Sequence, residues 1–185
     1  MKKILACLTI LLLLSGSEFL KPDFNLDFHI ETYKCDMSHY KGLPSIGHQF
    51  VGTTVSELKK TIYGKGYGAF VLSRKGCEHC QASMQYLNKA AFDLGLTIYY
   101  IDAESSVYPI VDTDDYDLLD RLLKPIEEKL DGEVTLQTPH FFTIIRGQFI
   151  DSFVGVDFKD TDNPTPNEIK QLTNKYKSAL LRFVK

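Results

Sequence analysis

One run of residues constrains this chain more than any other. Ala69-Phe70-Val71-Leu72-Ser73 is a short, continuous apolar stretch, suited to a strand buried on both faces. Arg74-Lys75-Gly76 follows, and then Cys77-Glu78-His79-Cys80 opens a segment in which Cys80, Met84, Leu87, Ala91 and Leu94 recur at spacings of three and four. That period predicts a helix over 77–94 with one apolar stripe, and Gly95 behind it suits a left-handed C-cap. Residues three apart at a helix start share a face, close enough for two sulfurs to bond with little adjustment. Cys77 falls where the helix N–H groups and the positive end of the macrodipole favour an anion. It should therefore ionise below the free-thiol value of about 8.5. Cys80 lies one turn in, shielded by helix and sheet. The expected division is an exposed Cys77 that attacks and a Cys80 that resolves.

The residues between them adjust this reading. A His79 imidazolium or N–H beside the Cys77 sulfur would stabilise the thiolate, and stabilising the reduced form makes the disulfide more oxidising. Glu78 opposes this, since a nearby carboxylate raises a thiol pKa, but it is free to point into water. Two other readings of the pair stand beside redox exchange. It is half of a zinc site if Cys35, His39 and His48 supply further ligands, which nothing in their spacing requires. Alternatively, it is a structural disulfide without exchange.

Elements on either side fit a compact α/β order. Thr54-Val55-Ser56-Glu57 is a capping box that should open a short helix through about Ile62, stopped by Gly64, Gly66 and Gly68. Residues 97–102 read as a second strand. Leu118, Leu119, Leu122 and Leu123 suggest a helix that Pro125 breaks or restarts. Residues 141–145 and 149–154 form a hairpin around Arg146-Gly147. Thr165-Pro166-Asn167-Glu168 is a second capping box, opening a terminal helix through about Phe183. Residues 18–50, interrupted by Pro22, Gly42, Pro44 and Gly47, read as an irregular extension with one short strand near 49–52.

Residues 1–17 read as an export leader. Lys2 and Lys3 precede residues 4–14, in which only Thr9 is polar, and Ser15-Gly16-Ser17 is small enough for cleavage. The run matches a signal-peptide apolar region and is short of the roughly 20 apolar residues of a spanning helix. An uncleaved anchor extended by Phe19 and Leu20, and a buried N-terminal helix, are the alternatives. Losing residues 1–17 removes Lys2 and Lys3 from 21 basic residues and none of 24 acidic ones, taking the net charge from -3 to -5. It also removes Cys7, leaving Cys35, Cys77 and Cys80 in a compartment where disulfides persist. Neither charge suits a nucleic-acid binder, so no nucleic acid is expected as a partner. The 44% hydrophobic content excludes wholesale disorder, and 12 Phe and 10 Tyr fill a core that has no Trp.

The strand, the CxxC and the helix behind it resemble the thioredoxin superfamily, over residues 50 to 185. The resemblance implies a central mixed sheet with flanking helices and a cis-proline at Pro139, immediately before the strand His140–Ile145. It also implies that the backbone of Thr138 pairs with an extended substrate chain. More narrowly, residues 51–102 resemble the exported thioredoxin-like bacteriocin transport accessory proteins of Gram-positive bacteria. The capped helix, the short strand, Arg74, the CxxC and Tyr99-Tyr100-Ile101-Asp102 carry that match.

The expectation is an α/β thioredoxin-like domain over 51–185, behind a leader over 1–17 and an extension over 18–50. Its expected function is extracytoplasmic thiol–disulfide exchange, of oxidase or isomerase type. Cys77, Cys80 and His79 would be catalytic, Thr138 and Pro139 would bind substrate, and no cofactor or metal is implied. Partners would be cysteine-containing exported proteins or peptides and a membrane redox partner, with membrane association through the N-terminal segment. A non-catalytic secretion accessory and a metal-binding chaperone are the rival classes.

The chain departs from the superfamily pattern at several positions. Gly76 replaces the aromatic that often precedes the first cysteine, which should leave the site more open. Val71 stands where many members carry a buried carboxylate, so Lys75, Glu78 or water is left to take the Cys80 proton. The segment 103–137 is long and carries Asp112, Asp114, Asp115, Asp117 and Asp120, read as a solvated acidic face that would attract cationic peptides. Cys35 is read as a free structural cysteine by default, the alternatives being a mixed-disulfide site or an exchange partner of Cys77. His29, His39, His48 and His140 are read as ordinary surface or loop residues.

Overall fold

The computed structural model describes residues 28–104, 114–127 and 136–184. The leader with its Cys7, residues 18–27 of the extension and Asp112 lie outside the described residues.

The elements run β1 (Phe50–Gly52), α1 (Val55–Tyr63), β2 (Gly68–Ser73), α2 (Glu78–Leu94), β3 (Ile98–Asp102), α3 (Asp114–Glu127), β4 (His140–Ile145), β5 (Gln148–Val154) and α4 (Pro166–Phe183). The five strands form one mixed sheet in the order β1-β3-β2-β4-β5. β1, β2 and β3 are parallel, joined by the crossover helices α1 and α2, while β4 and β5 are antiparallel additions. β2 is the middle strand, and its six residues are all buried, as its unbroken apolar run requires.

Strand alternation divides the core into two halves. Ala69, Val71, Ile98, Tyr100 and Phe141 face α2 and α4. Phe70, Leu72, Ile101, Phe142 and Ile144 face α1 and α3. Residues 28–50 are irregular, yet they belong to this core: Ile30, Cys35, Met37, Tyr40 and Leu43 are all buried. Tyr33 also exchanges both backbone hydrogen bonds with Gly52, at 2.9 Å each, laying a single antiparallel bridge against β1.

Local chemistry explains where elements start and stop. Arg146 and Gly147 take φ of 51° and 75°, the left-handed pair that a two-residue hairpin turn demands. Thr165 and Glu168 complete a reciprocal capping box at α4. The expected box at α1 is only half built. Thr54 accepts from the Glu57 N–H, but the buried Glu57 carboxylate turns to the Glu31 N–H and to Lys60 instead. Pro125 does not break α3, which continues through it to Glu127. Asp114 and Asp117 on α3 are exposed and Asp120 is half-buried.

Candidate active site

Cys77 is the N-cap of α2, and its Sγ accepts the Cys80 N–H at 3.2 Å. Two elements converge on that sulfur. The turn after β2 supplies the cysteine itself, and the segment before β4 places the Thr138 carbonyl oxygen 3.2 Å from it. The Thr138–Pro139 peptide bond is cis, Pro139 is buried, and its carbonyl accepts from the Gly155 N–H at 2.8 Å. The CxxC and Pro139 are thus neighbours across the sheet.

The two sulfurs ionise in opposite directions. Hydrogen bonding from the Cys80 thiol is the main cause that holds Cys77 well below the ordinary thiol value. The Thr138 hydroxyl, the Cys80 N–H and the Arg74 charge add to it, against the cost of burial. The Cys77 thiol, when protonated, donates to the Thr138 carbonyl. Cys80, wholly buried, is pushed up by its bond to Cys77 and then by burial. The low-pKa sulfur is the outer one, and its mate stays protonated.

Several expected roles shift. Cys77 is only 7% exposed, so access to it is narrower than a fully open nucleophile would have. His79 is exposed and lines the neighbouring cleft. Among the described residues no hydrogen bond joins it to either sulfur, because its place on the first turn of α2 points it away from the N-cap. Arg74, rather than His79, is the cation that lowers Cys77. Glu78 is exposed and accepts from the Thr161 hydroxyl. Gly76 does not open the site as expected, since Glu104 accepts the Gly76 N–H at 3.3 Å and its carboxylate would lie 3.2 Å from a Cβ there.

A cleft of ≈ 630 Å³ runs beside the pair, lined among others by Arg74, His79, Glu104, Tyr116, Thr138 and Asp157. Its lining brings Arg74, Glu104 and Asp157 together with the buried apolar side chains of Leu72 and Leu119.

Side chains from the extension frame the other side of the pair. Gln81 donates to the carbonyls of His39 at 3.0 Å and Lys75 at 2.9 Å, and accepts from the Lys41 N–H at 3.1 Å. It ties residues 39–41 to the turn before Cys77. The Tyr40 hydroxyl lies 2.7 Å from Ser73 Oγ and 3.1 Å from the Tyr100 hydroxyl. Tyr100 stands beside Val71 in the β2–β3 register, so the position without a carboxylate is flanked by buried hydroxyls. Ser73 is the one polar residue of that strand's apolar run, a signal the sequence offers but that points to no role by itself. Nothing in the sequence placed Tyr40 there.

The remaining candidates are dispersed. Cys35 is a buried free thiol whose pKa burial pushes up to about 11. His48 bridges the Cys35 carbonyl, at 3.1 Å, and the Phe50 N–H, at 3.2 Å. Among the described residues no group of three or more His, Cys, Asp or Glu side chains is placed to hold a metal ion. His140 is not a surface residue: it is fully buried at the head of β4, bonded to Ser152 Oγ at 2.7 Å, with Nδ1 4.0 Å from Glu127.

No family model and no curated protein matches this chain. Solved structures do. Thioredoxin O2 of Arabidopsis thaliana in its oxidized state is 16% identical over 76% of this chain and 98% of its own, with a TM-score of 0.44. A protein described as a putative oxidoreductase with a thioredoxin fold is 14% identical over 67% and 93%, at 0.43. Oxidised thioredoxin of Plasmodium falciparum is 15% identical over 65% and 90%, at 0.36. Independently of them, the sheet order places the CxxC at the join of the middle strand and its helix, with a cis-proline facing it. The fold is that of thioredoxin.

Proposed function

We propose that this chain is a thiol–disulfide oxidoreductase acting outside the cytoplasm on cysteine-containing exported proteins or peptides, bacteriocins among them. One observation carries the exchange chemistry: a helix-capping sulfur, held low by its partner thiol and N–H, lies against the segment that precedes Pro139. The leader-like residues 1–17 support the location, and the resemblance of residues 51–102 to bacteriocin transport accessory proteins supports the substrate class.

The Cys77 thiolate attacks one sulfur of a substrate disulfide. A Cys77–substrate bond forms, the substrate bond breaks, and its second sulfur leaves as a thiolate. Cys80 then attacks Cys77, closing the Cys77–Cys80 disulfide and releasing the first substrate sulfur, so that two electrons have passed to the substrate. The reverse sequence oxidises a substrate dithiol. Because the reduced state holds a stabilised Cys77 thiolate, its disulfide is expected toward the oxidising end of the thioredoxin-fold range of about -270 to -120 mV. Equilibration against glutathione buffers measures this, and a potential near the lower limit would overturn the oxidase or isomerase preference.

Alkylation across pH tests the exchange chemistry itself. Half-maximal labelling of Cys77 is expected below about pH 7, well under a free thiol. A sulfur that stays inert until about pH 9 would point to a structural role for the pair.

A further inference from the structure

Closing the disulfide requires Cys80 to ionise in a place that opposes it. The sulfur is wholly buried, and position 71 offers it a valine. The two charged candidates near it in sequence do not reach inward: Lys75 is exposed, and Glu78 is exposed and bonded to Thr161. What does reach Cys80 is the Ser73 hydroxyl, at the end of β2, together with the backbone of Arg74 just after it.

Ser73 is not isolated. Its Oγ is 2.7 Å from the Tyr40 hydroxyl, which is 3.1 Å from the Tyr100 hydroxyl, and the three residues are 0%, 1% and 2% exposed. Either hydroxyl of each pair can donate, and the order in which Tyr100 donates to Tyr40 and Tyr40 to Ser73 leaves Ser73 its proton for the sulfur. Each donor polarises the next, and in a dry core such a chain strengthens the last bond. A hydroxyl donor to a buried anion is also stronger than a bond between neutral groups.

Resting on the exchange reading above, we propose that Ser73, backed by Tyr40 and Tyr100, holds the Cys80 thiolate while it resolves the mixed disulfide. The Cys80 sulfur forms its bond to Cys77 Sγ as the Cys77–substrate bond breaks. The electron pair leaves on the substrate sulfur, which takes up the proton that Cys80 has given up. No further oxidant or reductant enters. Hydroxyl dipoles here serve in the place of a buried charge, and one of them is brought by the extension.

The test follows the lifetime of the mixed disulfide rather than its formation. The reduced full chain is mixed with oxidised glutathione, quenched in acid at intervals, and the glutathione adduct on Cys77 is followed by mass. In Ser73→Ala the adduct should decay about tenfold more slowly at pH 7, in line with loss of one hydrogen bond to a charged group. The gap should close as pH rises, and Ser73→Thr should restore the rate. Tyr40→Phe, which keeps the serine but removes its donor, should slow decay about threefold and gives an independent reading if the alanine variant does not fold. Equal decay in wild type, Ser73→Ala and Tyr40→Phe, or a slowing that is the same at every pH, would overturn the role of the hydroxyl chain alone. Failure of the wild type to form any adduct would overturn the exchange reading as well.

Discussion

Cys35 and Cys77 are packed into one half of the core and yet differ in their chemistry. Burial outweighs two backbone hydrogen bonds at Cys35 and pushes it up to about 11, whereas Cys77 has side-chain donors and a cation around it. Native labelling at about pH 8 should therefore modify Cys77 and leave Cys35 intact until denaturant is added. Rapid native modification of Cys35, read by peptide mapping, would contradict its placement. His140 and Glu127 form a second contrast. Burial pushes His140 down to about 4 and Glu127 up to about 7, the latter helped by Asp120. The two have opposite linkage. A depressed histidine weakens the fold as pH falls from 6.5 through 4, and a raised carboxyl weakens it as pH rises from 4.5 through 7. Glu127→Gln removes only the second effect. The difference in Tm between variant and wild type should accordingly shift in favour of the variant from about pH 5 to about pH 8, and parallel curves would refute this.

At the scale of elements, the hydrophobic runs and caps made most of the fold legible. Every strand and helix expected from residue 49 onward is present, because each is announced by its own local chemistry. What failed were features whose outcome depends on distant partners. Glu57 abandoned its capping box because an amide of the extension competes for it. Pro125 was tolerated inside α3 although proline is costly in a helix interior, and the buried faces of Leu119, Leu122, Leu123 and Ile126 hold that helix to the sheet on either side of it. At the site, the two cysteines were legible from spacing, whereas Tyr40, Ser73 and Gln81 meet only through tertiary packing. The intact box at α4 gives a test: Thr165→Ala should cost about 1 kcal/mol in denaturant unfolding. Gly147→Ala should cost more, since its Cβ would lie 2.0 Å from the Ile62 carbonyl at a φ of 75°. A neutral Gly147→Ala would mean that the hairpin turn is not as described.

For the molecule as a whole, residues 28–43 are structural rather than appended. Ile30, Met37 and Leu43 are 5%, 0% and 8% exposed. At about 1.5–3 kcal/mol for each buried aliphatic side chain, the three alone approach the stability of a typical domain. Removing residues 1–43 should lower Tm sharply or abolish cooperative unfolding, and an unchanged melt would show that the strands and helices fold without them. Irregular backbone gave no periodic signal by which this packing could be read from sequence.

The Tyr33–Gly52 bridge has a consequence for the edge of the sheet. A sheet with bare flanks recruits foreign strands. Here the flank beside β1 is occupied by the protein's own backbone. One route by which copies could add to one another, strand by strand, is sealed at that position.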